Sequence, residues 1–237
     1  MKTVVVRHVE RASADVIDVL RGAGTATVHE AMGRVGLMKP YMRPIYSGAC
    51  VAGSAVTVLA QPGDNWTIHV GIEQCRQGDI MVVGVTADNT DGMFGELLGT
   101  SMHSRGAMGL VIDAGCRDIG PLKEMGFPVW SRAVSAKGTV KATLGNVNMP
   151  TVCAGVTVHA GDVVVADDDG VVVVPRAEAA AVARASEQRI AREGRSRQRL
   201  QSGELSLDIN AMRPQLVKLG LVYVETLEDA MKLDPAD

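Results

Sequence analysis

Aromatic side chains are scarce in this 237-residue chain, at 3%, which removes the stacking platforms that single-strand nucleic-acid binders use. Charge of one sign is not in excess either. With 24 Lys and Arg against 27 Asp and Glu, the formal net charge of -3 supplies no overall positive field to draw nucleic acid or anionic lipid. The four cysteines, Cys50, Cys75, Cys116 and Cys153, never form a CxxC pair, which argues against a zinc knuckle or a redox dithiol and for reduced, mostly buried thiols. His8, His29, His69, His103 and His159 never stand at HxxxH spacing, so a histidine zinc site is not suggested. A GxxxxGK[ST] loop is missing, as is a GxGxxG run after a strand, which counts against ATP hydrolysis, dinucleotide chemistry and a methyltransferase. Long apolar runs are missing as well. Even the valine-rich stretch 163–174 is broken by Asp167, Asp168 and Asp169, and the opening MKTVVVRHVERAS is too short in its apolar part for a signal-peptide core. The expectation is a cytoplasmic protein with neither a nucleic-acid nor a membrane partner.

What is present is a globular composition, 46% hydrophobic and 22% charged, enough to bury the core of one large domain. Ser13 stands as an N-cap before ADVIDVLRGAG, a helix that Gly22 and Gly24 end; a short helix, TATVHEAMGRVG, follows and leads into an irregular stretch through Pro40 and Pro44. From Val51 to Leu59 the residues are small and β-branched, predicting a strand, and PGDNW turns into a helix near Trp66. The alternation continues with QGDIMVVGV, DGMFGELLGTSMHSRG and GLVIDAG, an α/β pattern. Later segments, PVWSRAV, NMPTVCAGVTVHAG and DVVVADDDGVVVVP, read as short strands with tight turns, DDDG being a hairpin signal. RAEAAAVARASEQRIAREGRSRQRLQSG predicts a long helix and INAMRPQLVKLG a last short one. One α/β domain over 1–237 is expected, with a C-terminal helical extension from about 176 onward.

Chemistry concentrates in GLVIDAGCRDIGPLKEMG. An apolar strand is expected to end at Asp113, and a loop then presents Arg117 and Asp118 where open α/β sheets place their ligands. Arginine offers a planar fork to a carboxylate and aspartate is a hard ligand for Mg²⁺ or Mn²⁺, so the pair suits a 2-oxo acid; an ion pair or a helix cap is the plainer alternative. In DGMFGELLG, Gly95 and Gly99 flank Glu96, Leu97 and Leu98 at a helix start, where free backbone N–H groups attract an anion, unless this is an ordinary helix start with both leucines in the core. Asn65 in PGDNW and Glu30 in VHEAMGR are weaker signals; Asn65 also fits as a helix cap and Glu30 as a solvated side chain. Lys39, Lys123, Lys137, Lys141 and Lys218 lie in polar or turn contexts, so a Schiff-base lysine is not evident and a metal is the better means of stabilising an enolate.

Together, VHEAMGR, GSAVTVLAQPGDNW, GELLG, GLVIDAGCRDI, GFPVW, VKATLGNVN and GDVVVADDDGVVVVP resemble the class II pyruvate aldolases of the RraA-like family, over nearly the whole chain. These act on 4-hydroxy-4-methyl-2-oxoglutarate and 4-carboxy-4-hydroxy-2-oxoadipate in the breakdown of aromatic compounds. The resemblance implies an αββα sandwich related to the swivelling β/β/α domains, assembled as homotrimers or homohexamers. It further implies that Asp118 is the direct ligand of a divalent metal, Mg²⁺ or Mn²⁺, and that Arg117 binds the pyruvyl group and tunes a proton-carrying water. The amides of Leu97 and Leu98 would hold pyruvate, while Glu96, Glu30 and Glu193 would meet the metal's waters, Glu30 and Glu193 arriving from a neighbouring subunit. A lyase with oxaloacetate decarboxylase side activity follows from the shared pyruvate enolate. Departures are small: Glu96 stands where some members carry aspartate, and Cys116 next to Arg117 would be oxidisable if exposed and acidic. Some RraA-like members are instead regulators that bind RNase E, which is the alternative reading.

Overall fold

A computed structural model describes residues 2–233. The first part of the chain gives α1 (Ala14–Ala31), β1 (Arg43–Pro44), β2 (Val51–Ala60), α2 (Trp66–Gln74), β3 (Asp79–Val85), β4 (Gly92–Phe94) and α3 (Glu96–Ser104). Next come β5 (Gly109–Cys116), α4 (Ile119–Met125), β6 (Val129–Val134), β7 (Asn146–Val147), β8 (Thr151–Cys153), β9 (Val156–Val158), β10 (Val163–Asp167) and β11 (Gly170–Val174). The rest is helical: α5 (Ala179–Gln201), α6 (Ser206–Ile209), α7 (Arg213–Lys218) and α8 (Leu227–Met231). By its contacts the chain divides into two compact units, one ending at Ile190 and one beginning at Ala191. Among the described residues no helix is long and apolar enough to cross a membrane.

The first unit is built on a sheet of order β1-β6-β5-β3-β2-β10-β11, in which β2, β3, β5 and β6 run parallel while β10 and β11 pair antiparallel. Its strands are buried on both faces, which is why they read as continuous apolar runs and not as alternation. Successive side chains enter different cores. Val56, Val58, Met81, Val83, Leu110 and Ile112 pack with Ile68 and Ile72 of α2 and Leu98 and Met102 of α3. Ala55, Ile80, Val82, Val111, Trp130, Val164 and Ala166 form a second core on the opposite face. Val163, Val165, Val172 and Val174 form a third with Leu20 and Val28 of α1 and Val182 of α5.

The stretch after α1, expected to be irregular, is what brings the outer strands together. Met38 N–H donates to Val171 O and Val173 N–H to Gly36 O, both at 2.9 Å, while Ile45 N–H donates to Val129 O at 2.9 Å, so segment 36–45 bonds to β11 at one end and β6 at the other. The sheet is thereby nearly closed. The DDDG hairpin is present, with Asp167 opposite Gly170. The two N-terminal helices of the sequence reading meet at Gly24, whose φ of 76° and ψ of 166° break the helical path and which only glycine adopts readily. Asp167 stabilises the restart: its carboxylate accepts Thr25 N–H at 2.8 Å and the Thr25 hydroxyl. Ser13 occupies the N-cap position of α1, but its side chain makes no capping bond.

Asp167→Ala should therefore lose about 1–3 kcal/mol of stability by uncapping the second half of α1. Equilibrium urea denaturation measures this, and an unchanged midpoint would show that the cap contributes nothing.

Candidate functional site

Strand β5 carries the key loop, and it runs three residues further than expected, to Cys116, because Gly115 and Cys116 still pair with β4 and β6 across a register shift. Its inner carboxylate, Asp113, is buried as a structural anchor. It accepts hydrogen bonds from the Tyr41 hydroxyl at 2.9 Å, Arg132 Nε at 2.9 Å and Ala154 N–H at 2.8 Å. Burial and the bond to Asp113 push the Tyr41 hydroxyl up to about 12. With Asp113 so engaged, the candidates for ligand chemistry are the two residues beyond the strand.

Arg117 N–H donates to Phe94 O at 2.9 Å, tying the loop to β4. Asp118 has φ 57° and ψ 44°, the left-handed region, which aspartate tolerates better than most L residues. In this conformation its Oδ2 accepts Glu96 N–H at 3.1 Å, at the first residue of α3, and lies 3.6 Å from Arg117 Nε. The dipole and unpaired amides of a helix start favour an anion there. Gly95 is required by this geometry, since a Cβ would sit 2.4 Å from Asp118 Oδ2 and 2.9 Å from Arg117 Cγ. Leu98 is buried, whereas Leu97 is 80% exposed, so of the two leucines only one serves the core. Both lie in the first helical turn, where backbone N–H groups lack a carbonyl one turn back. The Glu96 carboxylate accepts the Thr100 hydroxyl at 3.2 Å.

A cleft of about 200 Å³ opens on these groups and gathers Asn65, Gly95, Leu97, Leu98, Arg117 and Asp118, together with His69, Ser101 and Lys141. Asn65 sits at the N-cap position of α2 without capping it; Asp64 accepts Trp66 N–H instead, at 2.9 Å. The Asn65 side chain donates through Nδ2 to Met93 O at 3.2 Å, and its buried Oδ1 has no partner. A buried acceptor left unpaired is costly, and the residue that carries it also lines the cleft. A larger depression of about 870 Å³ near Lys2, Gln61 and Leu144 is open and offers Lys2 as its one ionisable side chain among the residues lining it.

The cleft also holds Ser101, which no motif marks, and His69 and Lys141, which the sequence names only to set aside a histidine zinc site and a Schiff-base lysine. A usable signal exists for His69: it stands four residues after Asn65, one turn into the helix that Asn65 precedes. Burial, reinforced by the Lys141 charge, holds the His69 imidazole below its ordinary range, so it is neutral at pH 7. For Lys141, 76 residues downstream of Asn65 in sequence, no local pattern marks the approach.

Two expected site residues are not among those lining this cleft. Glu30, on α1, pairs with Arg34 at 3.0 Å and with Arg189 at 3.6 Å and is not among the residues lining the cleft. Glu193 belongs to the second unit, on α5. Cys116 is fully buried, and burial pushes its thiol up to about 12, so the oxidisable cysteine considered from sequence is not found. Cys75 and Cys153 are buried too, while Cys50 is exposed.

No group of three or more His, Cys, Asp or Glu side chains comes together for a metal ion among the described residues. The donor chemistry at Asp118 nevertheless fits Mg²⁺ or Mn²⁺, because hard cations of this size are commonly held by one or two carboxylates, with water and substrate filling the remaining positions.

The family profile described as Aldolase/RraA, RraA-like, matches residues 25–173. Among curated proteins, one from Halalkalibacterium halodurans, named provisionally as a 4-hydroxy-4-methyl-2-oxoglutarate aldolase, is 29% identical over 168 residues, covering 71% of this chain and 80% of that protein. A Burkholderia multivorans protein with the same provisional name is 29% identical over 143 residues, covering 60% of this chain and 87% of its own. Among solved structures, a Streptomyces coelicolor protein described as an unusual member of the RNase ES inhibitor RraA family superposes with a TM-score of 0.70. It is 26% identical and covers 79% of this chain and 98% of its own. With the profile spanning more than half of the chain and the nearly closed mixed sheet matched in a solved relative, this protein belongs to the RraA-like family.

Proposed function

We propose that this chain is a divalent-metal-dependent pyruvate aldolase that cleaves a 4-hydroxy-2-oxo acid of the 4-hydroxy-4-methyl-2-oxoglutarate or 4-carboxy-4-hydroxy-2-oxoadipate kind. The observation that carries this reading is the convergence on one cleft of the Arg117 guanidinium, the Asp118 carboxylate and the first-turn amides of α3. The provisional aldolase names of two relatives support it.

Retro-aldol cleavage breaks the C3–C4 bond and leaves its electron pair on C3, delocalised into the enolate of pyruvate; the C4 hydroxyl gives its proton to a water held by the site's carboxylates and becomes a carbonyl, and that water then returns a proton to C3 to yield pyruvate. Asp118 would hold Mg²⁺ or Mn²⁺, which when bound would supply Lewis-acid polarisation of the 2-oxo group. Arg117 pairs with the 2-oxo acid through its planar fork. The amides of Leu97 and Leu98 present fixed dipoles where the enolate charge develops, and fixed dipoles need no reorganisation at the moment of reaction. Asn65, which lines the cleft, would help hold the substrate. Oxaloacetate would be decarboxylated at the same site, since loss of CO₂ from its C3 forms the same enolate.

Glu30 and Glu193 enter this reading through assembly. In a homotrimer, or a homohexamer of two trimers, a neighbouring subunit would bring them to the waters around the metal and complete the site. A second reading, a regulator that binds RNase E, draws on the Streptomyces relative's description and needs no turnover.

A coupled pyruvate assay on metal-stripped protein, with Mg²⁺ or Mn²⁺ restored, should show turnover that returns with the ion. Asp118→Ala should abolish it while leaving the fold intact by circular dichroism; full activity in that variant contradicts the ligand role. Arg117→Lys keeps the charge but loses the fork, and kcat/KM should fall on the order of 10²-fold, the magnitude seen for loss of one well-placed donor. Metal-independent inactivity of the unaltered protein, with saturable binding to RNase E, would favour the regulator instead.

A further inference from the structure

We infer that a second small-molecule site lies at the amino end of the parallel strands, between α1 and the starts of β2 and β3, and that it takes a monocarboxylate with a short apolar stem. The cavity there measures about 290 Å³ and shares no lining residue with the Arg117–Asp118 cleft, which opens beyond the carboxyl end of β5.

The position of this cavity follows from the alternation of β2. Ala52 packs with Leu20 of α1 in the third core, while Val56 and Val58, on the same side of the strand, pack with Ile68 of α2 in the first. Ser54 stands between them, where one core gives way to the other, and it lines the cavity. It is only 2% exposed, yet its hydroxyl has no hydrogen-bond partner. Buried hydroxyls are ordinarily paired, because leaving one unmet costs its desolvation. Its neighbour across the parallel pair, Asp79, is committed elsewhere: Oδ1 accepts Arg11 Nε at 2.7 Å, and Oδ2 accepts Arg11 Nη2 and Arg76 N–H, both at 2.8 Å.

What remains open around the cavity is rich in donors. Arg11 engages Nε, Nη1 and Nη2 once each, with Asp79 and with Val9 O at 2.9 Å, which leaves each terminal nitrogen a second N–H. Arg21 engages only Nη2, with Asp18 at 2.9 Å. Each guanidinium already has its aspartate, so the site holds no surplus positive charge. A singly charged carboxylate therefore suits it better than a phosphate dianion, and a cation would find Asp79 taken. The α1 positions on the cavity, 14, 17, 18 and 21, share one helix face. Ala12, Ile17, Ala52 and Met108 make its apolar walls, so a ligand that fills the volume sets a hydrocarbon stem against them and its carboxylate toward the guanidiniums and the Ser54 hydroxyl.

The test is a ligand-observed NMR titration of the full chain with butyrate, run beside acetate, butylamine and inorganic phosphate, and a butyrate-soaked crystal to locate the probe. Butyrate should bind with a Kd of about 1 mM, tighter than acetate by roughly tenfold for its additional methylenes, and neither butylamine nor phosphate should displace it. Ser54→Ala and Arg21→Gln should each weaken butyrate roughly tenfold, the loss expected for one hydrogen bond to a charged group. Ser54→Ala should also keep the ligand-free Tm, since the hydroxyl it removes bonds to nothing; a merely structural Ser54 predicts the reverse, a lower Tm with unchanged affinity. The inference is overturned by butyrate that does not bind, by butyrate seated only against Arg117, or by displacement with butylamine or phosphate. It is equally overturned by affinity that survives both substitutions, or by a soaked crystal in which water or a neighbouring subunit's side chain fills the cavity.

Discussion

A single carboxylate oxygen, Asp118 Oδ2, joins two helix starts. It accepts the first amide of α3 while its own residue begins α4, and it does so from a left-handed backbone that places the side chain over Gly95. Everything near the site is arranged around that contact. Gly95 cannot carry a side chain, Arg117 is drawn against the same glycine, and the Arg117 amide bonds to Phe94 O just before α3. The outcome is an anion, a cation and a helix N-terminus held together at the carboxyl end of a parallel strand. This arrangement offers a hard ligand and an anion receptor at one place, which is what chelation of a 2-oxo acid requires.

The sheet supplies the rigidity. Because β2, β3, β5 and β6 are packed on both faces, their carboxyl ends have little freedom, and the buried Asp113 network fixes the end of β5 further. A second carboxylate, Asp64, serves the other wall of the cleft by bonding the loop 140–143 to the start of α2. The two walls thus share one device: an aspartate whose hydrogen bonds to backbone amides turn a loop into a fixed feature.

Much of this was legible in the sequence. The α/β alternation, the DDDG hairpin, the break at Gly24 and the long helix α5 follow from periodicity and turn chemistry, which are local. The pairing of segment 36–45 with both β6 and β11 was not, since it depends on strands more than 80 residues away and leaves only Pro and Gly signals in the chain. In the cleft, Arg117, Asp118, Gly95 and the α3 leucines were readable because they sit in two short motifs. His69 and Lys141 were not read as cleft residues, as each looks like an ordinary surface residue until the Asp64 contacts bring the segments together. Glu30 and Glu193 were named through family resemblance, and within one chain Glu30 is engaged with Arg34 and Arg189.

The central claim is that the 2-oxo acid and its cation lie against the Arg117–Asp118 loop and the start of α3. A crystal structure of the protein with pyruvate and Mg²⁺ tests it most directly. Density for pyruvate within hydrogen-bond reach of the Leu97 and Leu98 amides and Arg117, with the ion on Asp118, is the predicted result; pyruvate and the ion bound together elsewhere on the chain would contradict it.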